Sequence, residues 1–113
     1  MQYAFISFST LRLTLDEMCA VARRFGYAGI EPRMDAGHAH GVETGLSAGE
    51  RARHRDIALR HGVTLACLAT SLKYADAANN PRMIADTLEC IDLAGDLGIP
   101  VLRVFGGAIP MGV

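Results

Sequence analysis

Short, nearly unbroken apolar runs alternate with longer stretches of helical periodicity along the whole chain. Tyr3–Ser9 (YAFISFS), Gly29–Arg33 (GIEPR), Val63–Ala69 (VTLACLA) and Val101–Phe105 (VLRVF) are the short runs, and each predicts a strand. Pro32 is a mild objection to the second, because proline has no N–H to give to a ladder. Between them, Leu15, Met18, Cys19, Val21, Ala22 and Phe25 fall at helical spacing, as do Met83, Ile84, Thr87, Leu88, Ile91, Leu93 and Leu97. The middle helix, running to about His61, places Ala52, Ile57 and Ala58 on one face, with Arg51, Arg53, Arg55 and Asp56 mostly off it. Thr14 with Glu17, and Ser47 with Glu50, have the spacing of capping boxes. Asn80–Pro81 offers an N-cap followed by a proline at the first helical position. Gly26, Gly62 and Gly98 each close a helix just before a strand, at a constant interval of 36 residues.

Buried apolar strands alternating with capped helices predict an α/β fold with a parallel sheet covered by helices. The interval is close to the roughly 30 residues per unit of a (β/α)8 barrel of about 250 residues. A doubly wound open sheet is the main competitor, but the segment after the first strand lacks the glycine-rich phosphate loop common in such sheets. Four strands and three helices correspond to the N-terminal half of a TIM barrel, strand–helix–strand–helix–strand–helix–strand. Residues 1–113 are accordingly expected to be one partial barrel domain, truncated after its fourth strand and inactive alone. A half-barrel leaves two open sheet edges, which offer a route to self-association.

Composition narrows the function classes. Hydrophobic residues make up 50 % of the chain and the formal net charge is −1, with Lys and Arg scattered, so no nucleic-acid or acidic-membrane partner is expected. No apolar run approaches the roughly 20 residues of a membrane span, and the N-terminus lacks the basic start of a signal peptide. Cys19, Cys67 and Cys90 lie inside apolar segments and read as reduced core residues of a cytoplasmic protein. A thiol nucleophile or metal ligand among them would have no CxxC spacing behind it.

In a β/α barrel, the chemistry sits at the carboxyl ends of the strands. Ser7 and Ser9, Glu31 and Arg33, Thr70 and Ser71, and Arg103 with Gly106–Gly107 all follow their strands in that sense. Glu31 and Arg103 lie at the same offset from Gly26 and Gly98, so they are expected to share one layer, neither being tolerable buried alone. Such a pair either sets strand register as an ion pair or holds the hydroxyls of a polar substrate. His38 and His40 lie between Gly37 and Gly41; a solvated lid, substrate contacts and metal ligation are the three readings open to them. His54 and His61, on an arginine-rich helix, read as solvated surface. Lys73, Tyr74 and Asp35 read as solvated loop, and Phe105 as core or pocket wall.

The segments YAFISFST, FGYAGIEPR, HGVTLACLATS and DLGIPVLRVFGG, in this order and spacing, resemble the N-terminal half of the xylose isomerase-like barrels. That group includes the sugar phosphate isomerases and epimerases and, more distantly, endonuclease IV. His38–Glu43 (HAHGVE) resembles a sub-group of the isomerase/epimerase proteins. The resemblance implies isomerisation or epimerisation of a sugar or similar polyol, by proton transfer next to a carbonyl. It implies a divalent metal (Mn, Mg, Zn or Co) in a full-length member, held mainly by later strands and so not by this chain alone. Glu31, Arg33, His38, His40 and Arg103 are the expected substrate-binding residues, with no metal ligand among them. A nuclease or lyase on the same barrel, and a non-catalytic half-barrel that self-associates, are the alternatives; early-strand histidines and a basic face, which endonuclease IV would need, are missing.

Overall fold

The computed structural model describes residues 1–112. Its elements are β1 (Ala4–Ile6), a 3-10 turn (Ser7–Thr10), α1 (Leu15–Phe25), β2 (Gly29–Glu31), α2 (Ala48–His61), β3 (Thr64–Leu65), β4 (Leu68–Lys73), α3 (Asn80–Leu97) and β5 (Leu102–Phe105). Both capping boxes form. Thr14 and Ser47 accept the Glu17 and Glu50 N–H groups through their hydroxyls, and both glutamates accept the cap residue's own N–H in return. The third helix differs, because Asn79 takes the cap position without a side-chain bond and Asn80 is already helical. Gly26, Gly62 and Gly98 all adopt the left-handed conformation (φ 78°, 66° and 71°) that lets each N–H turn back onto the last helical carbonyls. Arg23 on α1 donates to the His61 carbonyl at 2.6 Å, placing a cation at the negative end of α2.

The strands are parallel throughout. β2 pairs with β1 (Ala4↔Gly29, Phe5↔Ile30, Ile6↔Glu31) and with β3 (Gly29↔Thr64, Ile30↔Leu65), while β4 pairs with β5 (Leu68↔Leu102, Ala69↔Arg103). The two sheets touch through a single bridge, Arg33↔Ala69. The expected single strand over Val63–Ala69 is therefore split and runs on to Lys73. Pro32 explains the split. The ladder after Ile30↔Leu65 needs an N–H from residue 32, which proline lacks. The chain opposite slips by one residue, so that the Pro32 carbonyl accepts from Ala69 (2.9 Å), and the Ala69 carbonyl from Met34 (2.9 Å). Ala66 and Cys67 form the bulge between. The first strand is likewise shorter than its apolar run, because Ser7 begins the turn.

The strand order follows the sequence, β1-β2-β3 and then β4-β5. Right-handed crossovers that all step in one direction put every helix on the same face. Ile30, Met34, Leu65, Leu68 and Leu72 supply that face of the sheet. They join Met18, Cys19, Ala22, Ala58, Cys90, Leu93, Ala94 and Leu97 from the helices in one core. α2 carries few apolar residues and is held in part by Arg51, which donates to the Leu46 and Thr44 carbonyls (3.0 and 2.7 Å) and to Asp96 on α3 (3.0 Å). Among the described residues no helix is long and apolar enough to cross a membrane.

Leu93 is wholly buried whereas Leu88, on the same helix, is 59 % exposed. Leu93→Ala is expected to cost about 3 kcal/mol in urea unfolding, and Leu88→Ala under about 0.5 kcal/mol. Equal losses would mean that α3 packs by another face.

Candidate functional site at the carboxyl ends of the strands

With the helices covering one face, alternation along each strand sends the polar residues to the other. On β2 and its continuation, Ile30, Pro32 and Met34 are buried towards the helices, so Glu31 and Arg33 face away from them. On β4, Leu68, Thr70 and Leu72 are buried, which turns Ser71 and Lys73 to the opposite side. On β5, Leu102 packs against the core, and Arg103 and Phe105 lie on the open face.

The one-residue slip at Pro32 decides which of these residues are level. Ala69 bridges Arg33 on one side and pairs with Arg103 on the other, so the two arginines occupy one row across the sheet. Glu31 lies one step earlier. The expected Glu31–Arg103 ion pair is therefore absent among the described residues. Arg103 donates instead to the Thr70 carbonyl (3.1 Å) and stacks over Phe105, 4.3 Å from the ring centre. Glu31 sits beside Cys67. Burial, and then this carboxylate, push the Cys67 thiol up to about 11, so it stays protonated at neutral pH and is a poor nucleophile. Burial likewise raises Cys19 and Cys90 to about 11.

Arg33, Ser71, Lys73, Phe105, Gly106, Gly107 and Ala108 line a cleft of about 580 Å³ on this face. Arg33 donates from Nη2 to Ser71 Oγ at 2.8 Å, while Nη1 has no hydrogen-bond partner among the described residues. The far wall is fixed by two contacts. Tyr74 N–H donates to the Gly106 carbonyl at 3.0 Å, and Gly107 passes so close to Ala75 that a Cβ on it would stand 2.6 Å from the alanine Cβ. A glycine is required there both for that approach and for φ 117°.

The loop after β2 is packed in rather than a solvated lid. His38 and His40 are 7 % and 3 % exposed. Ser7 Oγ accepts the Arg33 N–H at 2.9 Å and stands 2.8 Å from His38 Nδ1, tying the end of β1 to β2 and to the loop. His40 donates from Nε2 to the Arg33 carbonyl (3.0 Å) and accepts the Val42 N–H at Nδ1 (2.9 Å). Both of its nitrogens are committed to backbone, so this ring holds the loop beneath Arg33. His54, read from the sequence as solvated, is half-buried and faces the Glu50 and His40 carbonyls. Asp35, at φ 55°, donates its N–H to both Glu43 oxygens at 3.1 Å, and burial pushes the Glu43 carboxyl up from its usual range.

The structure thus brings Arg33, Arg103 and, one step away, Glu31 to a common open face, and sets His38 and His40 in the support behind it. Ser71 joins Arg33 directly. Lys73, which the sequence suggested was a solvated loop residue, ends β4 on the cleft wall; only the strand running four residues longer than its apolar core could have signalled it. Among the described residues no group of three His, Cys, Asp or Glu side chains is placed to hold a metal ion.

Burial, opposed by the bond to Arg33 and aided by the nearby His38 and His54, lowers His40 from 6.5 to about 4. The unfolded chain takes up this proton near 6.5, but the folded ring resists it until about pH 4. Unfolding therefore binds a proton in that window, and stability is full above it and falls as the pH drops through it. The expected loss between pH 7 and 4 is roughly 2–3 kcal/mol, and His40→Gln should abolish that part of the slope in urea titrations. An unchanged slope would mean that His40 is already charged in the fold.

No protein-family model matches the chain, and comparison with curated proteins gives no match either.

Proposed function

We propose that the chain forms the first β/α units of a (β/α)8 barrel of the isomerase/epimerase type, with a sugar or similar polyol bound against its open face. Three features support the barrel. Strand order is sequential with no switch point, all helices lie on one face, and both flanks carry uncovered apolar residues where neighbouring units would pack. On one flank these are Ile84, Leu88 and Ile91 along α3 with Val101; on the other, Tyr3, Phe25 and Tyr27. What carries the functional reading is the row Arg33–Ala69–Arg103 beside Glu31, at the carboxyl end of the sheet, where barrels of this kind bind substrate.

In this reading Glu31 accepts a substrate hydroxyl, Arg33 and Arg103 hold oxygen atoms on the reacting side, and Phe105 forms the apolar wall. His38, through Ser7, and His40, through the Arg33 carbonyl, position the end of β2. Proton transfer next to a carbonyl commonly draws on a divalent metal to polarise it. The described residues do not make such a ligand set, so the roles assigned to them are on the substrate side.

In the full-length gene product, assayed for proton exchange next to the carbonyl across a sugar panel with Mn, Mg, Zn or Co, Glu31→Gln should lower kcat/KM about 10- to 100-fold. Its melting temperature should move little, because Glu31 has no ion-pair partner among the described residues. Equal loss of activity and stability would assign Glu31 to the scaffold.

A further inference from the structure

The open face carries more positive than negative charge, with Arg33, Lys73 and Arg103 set against Glu31. Every ion pair among the described residues involves a helix: Arg51–Asp96, Arg60–Asp56, His61–Asp16 and Arg82–Asp86. Among the described residues no carboxylate lies within salt-bridge distance of Arg33, Lys73 or Arg103, although the chain as a whole has a net charge of −1. Arg33 and Arg103 are placed in one row by the sheet itself, and Lys73 pairs with Phe105 further along the same edge. Like charges set side by side repel unless a counter-charge lies between them.

The cleft they border is built to receive such a counter-charge. Ser71 Oγ already accepts from Arg33 Nη2, which leaves its own proton free to donate and fixes the guanidinium plane. Arg33 Nη1 is shielded and has no hydrogen-bond partner among the described residues, and an oxygen acceptor seated against the guanidinium would supply one. Lys73 is exposed at the mouth, and the Gly106–Gly107 segment opposite brings only backbone and no side chain. We propose that Arg33, Ser71 and Lys73 form an oxyanion subsite that takes a phosphate or carboxylate group of the substrate. The proposal rests on the reading above of where substrate lies, and on nothing about the reaction.

The test is calorimetric titration of the full-length protein with inorganic phosphate and, in a second arm, with malonate, at constant ionic strength set by chloride. Saturable one-to-one binding of at least one anion is expected, and the arm that saturates names the group. Lys73→Gln and Arg33→Gln should each weaken it about tenfold. Lys73 is exposed, so its variant is expected to melt with the wild type and keeps the test valid if Arg33→Gln folds poorly. Heats that never saturate in either arm, or an affinity unchanged in Lys73→Gln, would overturn the subsite. Because the readout is binding, it can succeed where the sugar panel shows no turnover, and fail where turnover is found.

Discussion

The missing N–H of Pro32 is the constraint on which the open face depends. A strand with any other residue there could pair with its neighbour without interruption, keeping the register begun at Ile30↔Leu65. Proline denies one hydrogen bond, and the cheapest repair is an extra residue on the opposing strand. That repair bulges Ala66–Cys67, divides the sheet, and moves Ala69 level with Arg33. Glu31 stays one step short of Arg103, because β4 and β5 pair at an offset of 34 residues (Leu68↔Leu102) rather than 36. Two arginines therefore stand in one row, with Glu31 a step away on the same face.

The supporting shell is consistent with that outcome. Ser7 accepts the Arg33 N–H, His40 donates to the Arg33 carbonyl, and Ser71 accepts from the Arg33 guanidinium, so one residue is held from three different elements. Such convergence on a partly exposed arginine is more than packing requires. A helix-facing residue such as Ile30 is fixed by burial alone, but a side chain on the open face keeps one orientation only if hydrogen bonds define it. The histidines serve this support. Neutral His40 can accept at Nδ1 and donate at Nε2 at once, which no other side chain does with that geometry.

Much of the fold was legible from the sequence because it depends on local signals. The capping boxes at Thr14 and Ser47, and the glycines at 26, 62 and 98, act within a few residues of themselves, and helix limits followed from them. The parallel α/β arrangement followed from the apolar runs. The level of each site residue was not legible, because it depends on strand register, a property of two strands rather than one. Counting from the glycines at 36-residue intervals placed Glu31 opposite Arg103, but β4 and β5 pair at an offset of 34 (Leu68↔Leu102), which leaves Glu31 one step short. Polarity misled in the same way for His38 and His40. Two histidines between glycines look solvated, yet their partners, Ser7 and the Arg33 and Val42 backbone, satisfy them inside the fold.

The central claim is that the face away from the helices, at the row of Arg33 and Arg103, is where this protein binds its ligand. Backbone and arginine side-chain NMR shifts followed during addition of a phosphate-bearing sugar test it most directly. The account predicts that the perturbed signals cluster on Arg33, Ser71, Lys73, Arg103, Gly106 and Gly107. Perturbations concentrated on the arginine-rich surface of α2, at Arg53, Arg55 and Arg60, would contradict it.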